Sequence, residues 1–155
     1  MIYPYLRQFK TTKQDIDDVP PLDNCFLPVS DGELHRAEQA LERDFSSDIR
    51  AFYREIGYGF LVRGINGEVA RETNGIVHPS IAVRLAKELD EDIGIREGDL
   101  PVFEAAPRFF FVMRPATKTP NALFVAGFDV FLEASLSNFI RRLYFESPNF
   151  YWDLI

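Results

Sequence analysis

Between Val29 and Leu61 the chain writes two amphipathic helices and then a strand, and it makes the change at Gly57-Tyr58-Gly59. Ser30 and Glu33 form a capping box, in which each side chain meets the other's unpaired backbone N–H. Val29 and Leu34 take the staple positions around it, and Leu34, Ala37 and Leu41 fall on one helical stripe. Ser46 or Ser47 starts a second helix, where Ile49, Phe52, Tyr53 and Ile56 recur at i, i+3, i+4 and i+7. Gly57 suits the left-handed position that closes a helix. Gly59 opens the strand with little steric demand, and Tyr58 packs at the junction as a structural residue rather than as the lip of a pocket. Two helices with one apolar face each, joined this tightly to a strand, need a sheet to pack on.

The remaining chain supplies it. "GFLVRGINGEVARE" reads as a strand, an Asn66-Gly67 turn of type I′ and a second strand. "HPSIAVRLAKELD" is a third helix with Ala82, Leu85, Ala86 and Leu89 on one stripe, followed by an acidic loop, "DEDIGIREGDL". "RFFFVMR" and "NALFVAG" make two strands joined by the polar tip "PATKTP", and "DVFLEAS" continues the sheet. Ser135 caps a last helix carrying Leu136, Phe139, Ile140 and Leu143, and the aromatic tail "ESPNFYWDLI" packs back on the body. Residues 1–29 read as an irregular lead-in with a short N-terminal helix, because the prolines of "DVPPLDN" interrupt any regular ladder. The order predicts an α+β fold, a twisted and mostly antiparallel sheet with helices packed on it. It divides into a lead-in, 1–29, packed on a single domain, 30–155.

Residues with chemistry to offer are few. Cys25 is the only cysteine in 155 residues, so no disulfide forms within the chain and no CxxC pair offers a metal or redox site. His35 faces solvent or the core edge on the first helix, and His78 precedes Pro79 in a loop or at the start of the third helix, neither spaced with a serine or cysteine as a catalytic pair. No phosphate-binding glycine motif and no EF-hand spacing occurs. The expectation is a protein with no catalytic residues, no cofactor and no metal. The first residues lack a signal peptide's basic start and apolar run, and no apolar stretch is long enough to span a membrane. A cytoplasmic location is expected.

The net charge is −7, and the 17 Lys and Arg are scattered, which argues against direct nucleic-acid binding. Such a surplus keeps a protein soluble by self-repulsion, or it meets a partner with a basic surface. The candidate partner-binding residues are the acids of the acidic loop, Asp90, Glu91, Asp92, Glu97 and Asp99.

The pattern "GELHRAEQALERDF", "SSDI", "AFYREIGYGFL", then "NGIVHPSIA" and a closing "EASLSNFIRRL", resembles the SMI1/KNR4-like domain of the SUKH superfamily over roughly residues 30–145. The run "IGYGF" is its most specific element. The break between the first two helices lacks the Leu-Pro common there, and Gly75 follows Asn74 where an arginine is frequent. The resemblance implies helices on a twisted, largely antiparallel sheet and a function without catalysis. Bacterial members are largely immunity proteins that bind and neutralise polymorphic toxins, among them nucleases, deaminases and peptidases. Fungal members regulate cell-wall synthesis. What it implies here is an immunity protein for a cognate toxin, one with a basic active site that an acidic surface would cover. The alternatives are a regulatory scaffold of the fungal kind and a small hydrolase using His78.

Overall fold

Every strand of this chain pairs with its sequence neighbour. In a computed structural model covering residues 1–155, seven strands form one sheet in the order β1 to β7. They are β1 (Cys25–Leu27), β2 (Tyr58–Phe60), β3 (Gly75–Ile76), β4 (Leu100–Ala106), β5 (Phe109–Met113), β6 (Leu123–Val125) and β7 (Phe131–Glu133). All six pairings are antiparallel. Helices α1 (Asp31–Leu41) and α2 (Ser47–Glu55) lie between β1 and β2, α3 (Pro79–Glu88) between β3 and β4, and α4 (Leu136–Phe145) follows β7. The fold is α+β, as the sequence predicts.

Local chemistry sets the helix starts. The Ser30–Glu33 capping box is complete in both directions, and Ser135 Oγ accepts the Asn138 N–H at the start of α4. The start of α3 is capped by His78, whose Nδ1 accepts the Ser80 N–H. Ser46 occupies the N-cap of α2 but spends its hydroxyl elsewhere, on the Pro120 carbonyl at 2.8 Å.

Three expectations are corrected. The lead-in is not wholly irregular: Cys25–Leu27 is the first strand, paired with β2, and Tyr3, Leu6 and Phe26 are fully buried. The carboxylate of Glu55 holds this segment down by accepting the backbone N–H groups of Ile2 and Tyr3. Second, the longest strand, β4, falls where the sequence shows only a loop and its exit. Pro101 withholds a backbone donor, and two register shifts against β5 break the alternation. Third, the Asn66-Gly67 turn is not type I′, which needs positive φ at both central residues. Only Gly67 has it; the Gly67 N–H reaches the Gly64 carbonyl and the Gly64 N–H reaches Glu68 O. That is a three-residue loop, closed beyond it by a single bridge between Arg63 and Val69.

The register sorts side chains onto two faces. One row runs Phe26, Gly59, Ile76, Phe103, Phe111, Val125. It carries the main core, where Phe139 of α4 and Tyr151 of the tail pack edge-on against Phe103 and Phe111. The opposite row runs Cys25, Phe60, Gly75, Glu104, Phe110. Over β4 to β6 that second face is closed by a smaller core in which Leu85, Ile93 and Ile95 pack with Phe110 and Val112. Over β1 to β3 no such layer covers it.

Candidate protein-binding surface

The uncovered part of the second face begins at Phe60, whose side chain is 48% exposed. Its ring lies across Gly75 on the next strand: a Cβ built there would come within 3.2 Å of two ring carbons. One strand further, opposite Gly75, stands Glu104. Burial holds its carboxyl above the usual glutamate range, and no donor or cation offsets that effect. An aromatic ring and a carboxylate without a partner thus share one row, two strand spacings or roughly 10 Å apart.

A loop of the lead-in extends this face past the sheet edge. The side chain of Asn24 imitates a strand neighbour, its Nδ2 donating to Arg63 O and its Oδ1 accepting the Arg63 N–H, both at 2.8 Å. The Arg63 guanidinium donates to the carbonyls of Leu22 and Gly67. These bonds fix "PPL" beside Phe60 and leave Leu22 59% exposed. Ile16, in a 3₁₀ turn over Ile16–Asp18, projects beside it at 40% exposure. Two grooves run along the face and meet at Phe60 and Thr73. One, of about 410 Å³, is lined by Ile16, Leu22 and Val62; the other, of about 210 Å³, by Tyr58, Ile81 and Glu104.

Acids border the apolar strip: Asp15, Asp17 and Asp18 beside Ile16, then Asp23 and Glu72 along the groove and Glu104 at its far end. Neither groove has a lysine or arginine among its lining residues, and Arg63, beside Leu22, is committed to backbone carbonyls. Cys25 lies on the groove floor at 9% exposure, and burial, with Asp23 beside it, pushes its thiol above the ordinary range.

Of the residues singled out in the sequence, Tyr58 and Gly59 line the smaller groove, and the acidic loop lies apart from both grooves. Gly57 and Gly59 have φ of +115° and +148°, and a Cβ on either would sit 1.8 Å from Leu27 O or 2.1 Å from Cys25 O. These glycines therefore let β1 close on β2, a stronger requirement than a helix stop. Tyr58 is half-buried at the seam with its ring edge-on to His78 at 4.8 Å. The second ring nitrogen of His78 faces Glu33 Oε1 at 3.4 Å, so the imidazole ties α3 to the cap of α1.

In the acidic loop, Glu91, Asp92 and Glu97 are exposed. Asp90 is an internal brace: it accepts the Asp92 N–H at 2.9 Å and pairs with Arg108 at 3.2 Å, which together hold its carboxyl below the usual range. Asp99 is 2% exposed and paired with Arg114 at 3.0 Å, so it is part of the interior and not of an exposed acidic surface. Arg114 continues to Asp129 at 3.5 Å and stacks over Phe124. Ile93 and Ile95 bury the loop's middle.

The apolar strip is not legible in the sequence, because the residues lining it lie in separate segments of the chain. The one local signal was the run of prolines before Leu22, which fixes an apolar side chain in a loop.

No family model matches the chain, and no solved structure matches it. It is similar to the "Immunity protein YxxD" of Bacillus subtilis (strain 168), 29% identical over 142 residues, covering 86% of this chain and 91% of that protein.

Proposed function

We propose that this chain is a bacterial immunity protein of the SMI1/KNR4-like class, a non-catalytic binding module that neutralises a cognate polymorphic toxin by direct contact in the cytoplasm. The observation that carries the reading is the similarity to an immunity protein over nearly the full length of both chains. Two features of the molecule support it. His78, the side chain best suited to acid–base work, has both ring nitrogens engaged in capping and in contact with Glu33. The exposed apolar strip with an acidic border has the make-up of a protein interface, an apolar centre with a polar rim.

The partner is a toxin with a basic active site, bound without nucleic acid. The surplus of acids that keeps the chain off a polyanion favours encounter with such a surface. Glu91, Asp92 and Glu97 act in that encounter from the exposed loop, which Asp90 and Asp99 hold in shape. Residues 30–155 with the packed lead-in act as one domain, and no helix is long and apolar enough to cross a membrane.

The test is growth rescue. A polymorphic toxin encoded beside this chain's gene is expressed with and without the chain, and the two proteins are then co-purified. Rescue together with a stoichiometric complex is the expected result. Growth arrest unchanged by the chain, with no complex, would overturn the reading.

A further inference from the structure

Most of the hydrophobic surface in this sheet is covered, yet Phe60, Leu22 and Ile16 stand exposed together along one strip. Isolated exposed apolar residues are ordinary, but a contiguous strip with a polar border marks an interaction site. Interfaces gather their binding energy at a few central anchors, most often aromatic side chains and arginines. Phe60 has an anchor's placement, with its ring seated on Gly75 and its outer side open.

The charge pattern selects the occupant. Asp23, Glu72 and Glu104 line the two grooves, and Asp15, Asp17 and Asp18 flank Ile16 along the chain. An anionic or purely apolar partner would leave the Glu104 carboxylate desolvated and unpaired, at a cost. A cation would relieve it. Roughly 10 Å separates the Phe60 and Glu104 backbones, and side chains reaching inward from both can meet one guanidinium. A guanidinium also stacks on aromatic faces and pairs with carboxylates in fixed geometry, which an ammonium does less well.

We infer that the Phe60–Gly75–Glu104 row is the docking site for an arginine on a basic surface of the toxin, its guanidinium laid on the Phe60 ring and paired with Glu104, with flanking apolar side chains against Leu22 and Ile16. This rests on the immunity reading for the identity of the partner. It differs from the acidic loop in role: the loop attracts the partner, and the row holds it.

Two measurements decide it. In the first, the toxin is titrated with the wild-type chain, Phe60→Ala and Glu104→Gln. Phe60→Ala should weaken binding about tenfold or more and Glu104→Gln about fivefold, as for central anchors. Thermal midpoints should stay close to or above wild type, since both side chains are partly exposed. Binding of both variants within about twofold of wild type would overturn the site while leaving the immunity reading intact. In the second, the ¹⁵N-labelled chain is titrated with an arginine-tryptophan peptide, and with the same peptide carrying glutamate for arginine. Shifts of the Phe60, Gly75 and Glu104 amides with the arginine peptide alone are expected. No shift there, or equal shifts with both peptides, would overturn the site. If the wild-type chain neither rescues growth nor binds the toxin, the immunity reading fails, and the peptide titration still decides the row by itself.

Discussion

At Gly57 and Gly59 single hydrogens decide whether β1 can close on β2. A Cβ at either position would lie far inside van der Waals contact with a β1 carbonyl oxygen, at 1.8 Å and 2.1 Å, with φ positive at both. Backbone cannot yield the way a long side chain can. Gly57→Ala and Gly59→Ala should each destabilise the fold by roughly 3 kcal/mol or more, read as a drop in the urea midpoint. A loss under about 1 kcal/mol would mean that the edge strand is not held where described. Glu104 predicts the opposite sign. Its folded-state carboxyl is raised by burial above the unfolded value, so folding favours the protonated form. Its contribution is harmless below about pH 4 and becomes unfavourable as pH rises through the raised value. Glu104→Gln removes the charge and should therefore raise the thermal midpoint at pH 7, with the gain vanishing toward pH 4. A gain independent of pH would point to something other than ionisation.

Elements with a local cause were legible, and those made by pairing were not. Capping and 3.6-residue periodicity are written within a few residues, so α1, α2, α3 and α4 stand where the sequence places them. β1 and β3 are only three and two residues long, too short for alternation to register, and they exist because β2 and β4 lie beside them. β4 hides behind Pro101 and a Glu-Ala-Ala stretch of no strand character. The groove was illegible for the same reason: Leu22, Phe60, Thr73 and Glu104 meet only once the strands have paired. The tail shows the converse, a segment whose aromatics announced that it packs back and whose polar anchor was unforeseen. Tyr151 is fully buried against Phe103, Phe111 and Phe139, and its hydroxyl donates to Asn74 Oδ1, while Asn74 Nδ2 donates to Pro148 O. Asn74 is itself fully buried, so it has no water to turn to. Tyr151→Phe keeps the packing and removes one hydrogen bond, leaving that oxygen unpaired. It should cost about 1–3 kcal/mol, measured by chemical denaturation. A neutral result would mean that the aromatic contacts alone fix the tail.

Charge acts on the whole molecule in a different way from contact. With a net charge of −7, the chain's field reaches a partner before any side chain touches it, over about 10 Å at 0.1 M salt. Glu91, Asp92 and Glu97 are exposed, whereas Asp90 and Asp99 are bound into the loop by Asp92 N–H, Arg108 and Arg114. The three exposed acids can be replaced without loosening the fold, whereas Asp99, buried with Arg114, cannot. Replacing Glu91, Asp92 and Glu97 together by serine should therefore leave the thermal midpoint within about 2 °C per exposed site. It should slow association with a basic toxin several-fold at low ionic strength while the dissociation rate stays the same. Raising the salt should close the gap, because screening removes from the wild type what the substitutions remove from the variant. Stopped-flow association at two ionic strengths reads the rate difference, a displacement experiment reads the dissociation rate, and a thermal melt reads the midpoint. An unchanged association rate at low salt would remove the loop from the encounter and leave attraction to the acids around Phe60. A faster dissociation rate would instead put the loop in the interface itself, beside the row that holds the partner.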